Sequence, residues 1–260
     1  MKFNLLISAT ILILALTGAA EAKIMEQDIM YNDGERDCLG YAAWDDSFDG
    51  KRPGVLVVHQ WKGLSGHEKE RARMLAEMGY VAFCADLYGE GVRPKDSAEA
   101  SRQAGQFYGD RSKFHMRGKA ALDKLKSLPG VDAENTAAIG FCFGGTAVLE
   151  LARSGQDLKG VSSFHGGLKP DPPASDIKCS VLAMHGADDP HVPDEDVQAF
   201  IDEMRSSGAD WELIHYGDAV HAFTHRELST DNSKGAAYNV RADRRSWAKL
   251  RDYLSELFGR

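Results

Sequence analysis

The chain reads as a single-domain α/β protein with a mostly parallel central sheet, helices on both faces and no large lid. Two observations predict this. Short β-rich runs at 55–59, 80–85, 136–139, 160–164, 181–185 and 211–216 are largely apolar, as strands covered on both faces must be. Stretches of helical period lie between them, and that alternation calls for a parallel sheet. A length of 260 residues suits one large core, and no internal repeat or low-complexity block divides it.

Along the chain, Lys2 precedes an apolar run from Leu5 to Leu16, and Ala20-Glu21-Ala22 supplies small residues at cleavage spacing. Residues 1–22 therefore read as a secretory signal peptide, and 23–260 as the folded domain, periplasmic or secreted. An uncleaved anchor is the alternative, but the apolar run is shorter than the ~20 residues that span a bilayer. Stretches 24–31 and 38–44 look like a strand pair around the turn residues Asn32-Asp33-Gly34, with 45–53 as a polar loop. Helices are expected over 68–78, 96–107, 113–128, 146–153, 194–206 and 234–258. The charged run from Glu68 to Arg73 reads as a solvated helix face.

A formal net charge of -8 gives no electrostatic reason to expect nucleic acid as a partner. Export would allow disulfides, yet Cys38, Cys84, Cys142 and Cys179 show no framework spacing. The first, second and fourth sit in strand-like segments, as buried thiols or with one disulfide among them; Cys142 is expected to stay unpaired.

Gly140-Phe141-Cys142-Phe143-Gly144-Gly145 follows a strand-like run and opens a helix-like one. A sharp strand-to-helix turn strains its central residue, so glycines must flank it where a Cβ would collide with backbone. This is the pattern of a nucleophile elbow carrying a thiol, although a tight turn around an inert buried thiol has the same local sequence. The start of the following helix favours negative charge on sulfur.

Two later segments, His185-Gly186-Ala187-Asp188-Asp189-Pro190 and Gly217-Asp218-Ala219-Val220-His221-Ala222-Phe223, complete the order nucleophile, acid, histidine. His221 would move the proton, and Asp189 would orient its ring; Asp188 competes for that second role. The Phe143 N–H and, from the loop after 55–58, the Trp61 N–H are candidate oxyanion donors. Trp61, Tyr88 and Phe143 read as pocket walls or as ordinary packing aromatics. His221 and His225 are four apart, but no third ligand accompanies them, so neither a metal nor a cofactor is expected.

On these motifs the chain resembles the dienelactone hydrolase family of the α/β-hydrolase superfamily. The resemblance extends to His59-Gln60-Trp61-Lys62-Gly63-Leu64, Arg71-Ala72-Arg73-Met74-Leu75-Ala76, Gly79-Tyr80-Val81-Ala82 and Ala85-Asp86-Leu87-Tyr88-Gly89. It implies a Cys142-His221-Asp189 triad acting on small esters or lactones. Two departures stand out. Gln60 occupies the place of a family glutamate that takes the thiol proton, which an amide cannot do. The family's carboxylate-binding arginines also lack clear matches: His225, beside Arg226, stands at one position, and Arg93 is a nearby substitute for the other, or simply a solvated loop arginine. Gln60, Tyr88, Arg93 and His225 are thus the candidate pocket residues.

The function expected is hydrolysis of a small-molecule ester or lactone through an acyl-enzyme, by a monomer or small homo-oligomer with no membrane contact after signal cleavage. A non-catalytic binding or thiol-redox protein on the same fold is the alternative, and acyl transfer to a non-water acceptor a third.

Overall fold

The computed structural model describes residues 23–259, so the expected signal peptide lies outside the described residues. The strands are β1 (Ile24–Asn32), β2 (Asp37–Asp45), β3 (Arg52–Val58), β4 (Val81–Ala85), β5 (Val131–Phe141), β6 (Gly160–Phe164), β7 (Ser180–Gly186) and β8 (Trp211–Tyr216). They form one sheet in the order β1-β2-β4-β3-β5-β6-β7-β8. β1 and β2 run antiparallel at one edge, and every pairing from β4 to β8 is parallel.

The helices are α1 (Gly66–Glu77), α2 (Ser97–Tyr108), α3 (Ser112–Lys126), α4 (Phe143–Arg153), α5 (Asp194–Ser207) and α6 (Val240–Phe258). Alternation along β3 explains why two cores form. Val55 and Val57 face one layer with α1 and α6, while Leu56 and Val58 face the other with α2 to α5. All seven β3 residues are buried, which is why its sequence is an unbroken apolar run after Arg52 and Pro53.

Element boundaries differ from those expected. The polar loop expected over 45–53 is shorter, because Arg52 already pairs with Val131 at the start of β3 and its N–H donates to the Gly130 carbonyl at 2.8 Å. β5 correspondingly begins at Val131, ahead of the apolar stretch that marks its centre. The helix expected over 234–258 is broken: a 3-10 turn ends at Gly235, whose φ of 73 suits glycine, and α6 starts only after Asn239, whose side chain accepts from the N–H groups of Arg241 and Ala242.

The charged run at 68–73 is not a solvated face throughout, since Glu68 and Arg71 are buried. Ser65 caps α1, and the Glu68 carboxylate reaches back to the Ser65 N–H (2.9 Å) and hydroxyl (2.7 Å). Arg71 lies against the Trp247 ring and donates to Asp243 Oδ1 at 2.6 Å and to the Thr224 carbonyl at 3.1 Å. A buried ion pair that also hydrogen-bonds backbone is tolerated inside a core, but breaking it leaves a bare charge. Asp243→Ala, which strands Arg71, is expected to lower unfolding free energy by about 3–5 kcal/mol in urea titrations.

Candidate active site

At the carboxyl end of β5 the chain turns sharply into α4. Cys142, at the turn, has φ 53 and ψ -115, a strained conformation for a residue with a side chain. Crowding enforces it. A Cβ on Gly140 would collide with the Gly144 carbonyl, one on Gly144 with the Val58 carbonyl, and one on Gly145 would lie 2.7 Å from the Ser163 hydroxyl. The three glycines flagged in the sequence thus allow β3, β5 and α4 to meet backbone to backbone. α4 begins at Phe143, so the first N–H groups of that helix lie ahead of its own hydrogen-bond ladder.

Loops after β7 and β8 bring the other two groups to this turn. His221 Nε2 lies 3.0 Å from Cys142 Sγ, and His221 Nδ1 lies 2.7 Å from Asp189 Oδ2. A carboxylate only accepts, so Nδ1 donates and Nε2 is left to exchange a proton with sulfur. The other Asp189 oxygen accepts from the His191 N–H at 2.8 Å, which fixes the carboxylate. Asp188 is exposed, its N–H bonded to the Ala219 carbonyl at 3.0 Å, and it is Asp189 that meets the imidazole. The His221 segment is itself pinned, donating to Gly235 at 3.2 Å and accepting from Ala237 at 3.1 Å. Burial opposes charge on the imidazole, but charge on the Cys142 sulfur and the hydrogen bonds to Asp189 and Cys142 outweigh it and raise His221 to about 10.

A cavity of about 740 Å³ opens over the sulfur, lined by Cys142, His221, Phe143, Trp61, Gln60 and His225 among others. A second hollow of about 520 Å³, beside Asn32 and Lys124, shares none of these residues. Gln60 is almost wholly buried; its N–H donates to Glu68 Oε1 at 3.3 Å and its carbonyl accepts from His59 Nδ1 at 2.6 Å. His225 stacks on His67, with ring centroids 5.3 Å apart.

Arg93 and Tyr88 do not line the cavity. Arg93 turns inward to the buried Asp86 carboxylate, 3.3 Å from each oxygen, and to the Val92 carbonyl at 2.8 Å. Tyr88 is wholly buried, packs edge-on against His59, and donates its hydroxyl to the Trp61 carbonyl at 2.9 Å, bracing that loop from behind. All four cysteines are free, and Cys38, Cys84 and Cys179 are buried.

Several residues at the site went unmarked in the sequence. Tyr108, one turn beyond the small residues Ser101, Ala104 and Gly105 of α2, forms a cavity wall with His191. His165 lies beneath the elbow, its Nδ1 accepting from the Cys142 N–H at 3.1 Å. It follows a parallel strand directly, the same placement that marks Cys142, Asp189 and His221.

A strand-turn-helix elbow with acid and histidine loops following later strands, on this sheet order, defines an α/β-hydrolase. Residues 39–258 match the sequence model of the dienelactone hydrolase family, and the chain belongs to that family: it is an ester- or lactone-type hydrolase. It is similar to a crystal structure of a dienelactone hydrolase-like promiscuous phosphotriesterase from metagenomic libraries, at 43% identity and a TM-score of 0.86, over 90% of this chain and 98% of that one. An uncharacterized Caenorhabditis elegans protein is 39% identical over 150 residues, 56% of this chain and 95% of its own length. A Salmonella typhimurium protein provisionally named a carboxymethylenebutenolidase is 27% identical over 237 residues, 86% of this chain and 84% of its own.

Burial holds His59, His165 and His185 below the ordinary imidazole value, and His67 falls to about 4. Between pH 6.5 and about 4 the unfolded chain takes up protons that the folded one refuses, so stability is lost as pH falls through that window. The thermal midpoint, followed by calorimetry, is expected to drop from pH 6.5 to 4, and His67→Phe to flatten the drop.

Proposed function

We propose that the protein hydrolyses small, uncharged carboxylic esters or lactones through an acyl-enzyme on Cys142, with His221 as proton carrier and Asp189 as its orienting carboxylate. The observation that carries this is the unbroken line from Cys142 Sγ to His221 Nε2 (3.0 Å) and from His221 Nδ1 to Asp189 (2.7 Å), opening onto a cavity. Gln60 is no base, so His221 alone takes the thiol proton. The thiolate attacks the carbonyl carbon, and the Phe143 and Trp61 N–H groups receive the oxyanion. The tetrahedral intermediate expels an alkoxide, which takes the proton from the His221 imidazolium. Water then gives a proton to the neutral imidazole and attacks the thioester. Collapse releases the carboxylic acid and restores thiolate and imidazolium.

The uncharged substrate follows from where the cations point. Arg93 is held by Asp86, and Arg111 by Glu150 at 3.0 Å. Lys62 and Glu227, which do line the cavity, are exposed and opposite in sign. A substrate carboxylate would enter without a buried partner. Neutral phosphotriesters form a second reading, favoured by the name of the 43%-identical relative. There Cys142 would attack phosphorus, and a stable phosphoryl adduct on Cys142 after paraoxon treatment is the signature sought by mass spectrometry. The thiol-redox alternative is disfavoured, since the other three cysteines are buried away from the cavity and offer no resolving thiol. Lys2 and the apolar run behind it support export, for which the mature N-terminus is expected at Lys23.

With p-nitrophenyl acetate, Cys142→Ala is expected to lose on the order of 10³-fold or more in kcat/KM, and Asp189→Asn about 10²–10⁴-fold in kcat. Rates of Cys142→Ala equal to wild type would overturn the assignment. For alkyl esters, whose alkoxide must take the imidazolium proton, kcat is expected to fall as pH rises through about 10, read by pH-stat. A neutral ester is expected to surpass an anionic half-ester of equal length by about tenfold or more in kcat/KM.

A further inference from the structure

His165 is wholly buried, follows β6 directly and holds a left-handed backbone with φ 41. Close approach of two backbones puts it there. A Cβ on Gly166 would lie 2.6 Å from the Gly145 carbonyl carbon, so the tail of β6 runs directly beneath the first turn of α4. Thr146 extends this seam, its hydroxyl accepting from the Gly167 N–H at 3.0 Å.

The imidazole has a partner at each nitrogen. Nδ1 lies 3.1 Å from the Cys142 N–H nitrogen, which also reaches the Phe164 carbonyl at 3.0 Å, and Nε2 lies 2.8 Å from the Thr224 hydroxyl. A peptide N–H can only donate, so Nδ1 accepts. A neutral ring then carries its proton on Nε2 and donates it to Thr224 Oγ1. Thr224 stands three residues past His221, and its carbonyl is gripped by Arg71. One ring therefore joins the turn that presents the sulfur to the loop that presents the imidazole.

We infer that His165 is a positioning residue: as a neutral Nε2–H imidazole it sets the separation of Cys142 and His221 by hydrogen-bonding the backbone of the first and the loop of the second. The inference deepens the proposed function and rests on Cys142 and His221 acting as a pair. The groups that face His165 favour the neutral ring. Burial comes first, then the charge of His221, 5.5 Å away ring to ring, and protonation of His67 or His225 would push the same way; the Phe223 and Phe141 rings also pack on it. A second charged imidazole beside that of His221 would repel it, so the neutral ring links the two loops without disturbing the charge of the pair.

The test uses the full folded protein. Thr224→Val removes the acceptor with nearly the same shape, His165→Asn keeps an acceptor for the Cys142 N–H but loses the Thr224 link, and Thr224→Ser restores the hydroxyl. For Thr224→Val and His165→Asn, kcat on p-nitrophenyl acetate is expected to fall about 10–100-fold with KM within about threefold. Iodoacetamide alkylation of Cys142 is expected to slow about tenfold at pH 6.5 and to stay within about twofold at pH 9.5, where thiolate forms without help. Thr224→Ser should return both to within about threefold of wild type. Wild-type alkylation rates at both pH values in folded Thr224→Val would overturn the inference and leave His165 as packing.

Alkylation reads the pair without any ester turnover, so this outcome is separable from failure of the hydrolase proposal. Nitrogen NMR of the wild-type imidazoles needs no variant. It is expected to find one ring locked as the neutral Nε2–H tautomer from pH 5 to 9, and a charged or exchanging His165 would sink the idea even if every variant unfolds.

Discussion

Backbone crowding where β5 turns into α4 is the constraint on which the rest of the site depends. Cys142 holds φ 53 because Gly140, Gly144 and Gly145 let the ends of β3 and β5 and the first turn of α4 occupy space that no Cβ could share. Conformations of this kind cost about 1–3 kcal/mol and persist only where the surroundings over-determine them. The surroundings here are the central strands of the sheet, buried on both faces, so the strain is held by the most rigid part of the molecule. The sulfur is thereby fixed before any partner reaches it. His221 and Asp189 arrive on loops, which have less intrinsic rigidity and must be tied down separately.

Internal ion pairs take up the arginines around the cavity. Arg71 grips the Thr224 carbonyl and Asp243, Arg93 is committed to Asp86, and Arg111 to Glu150. Each guanidinium has its carboxylate inside the protein, where an unpaired charge would cost most. What remains to face a ligand is mostly aromatic, amide and imidazole surface from Trp61, Tyr108, Phe143, Gln60 and His225, with Lys62 and Glu227 exposed and opposite in sign. The electrostatic character of the cavity is thus a by-product of how its walls are fastened.

Much of this was legible in the sequence, and for a local reason. The elbow announces itself because its glycines are adjacent along the chain, and the acid and histidine segments because they follow strands in a fixed order. Strand centres were legible from apolar runs, while strand ends were not: Arg52 and Val131 pair outside the runs that mark β3 and β5. Gly235 hid the break before α6 inside a stretch of helical composition. Glu68 and Arg71 looked like a wet helix face because charge normally means solvent, and only the approach of α6 and the Thr224 loop buries Arg71. Arg93 and Tyr88 sit near the site in sequence but point into the protein. His165 carries only its place just after a strand, since its partners lie 23 and 59 residues away.

The anchoring of the His221 loop has a consequence for biosynthesis. His221 is held by Gly235 and Ala237, Phe223 by Asn239, and Thr224 through Arg71 by Asp243 at the start of α6. A chain made from its N-terminus therefore has its elbow and acid loop in hand before the last helix emerges, and only docking of that helix brings the imidazole to the sulfur. On the proposed triad, the sulfur gains its imidazole last, which spares it during the interval when a nascent chain is most exposed to stray electrophiles and to other thiols.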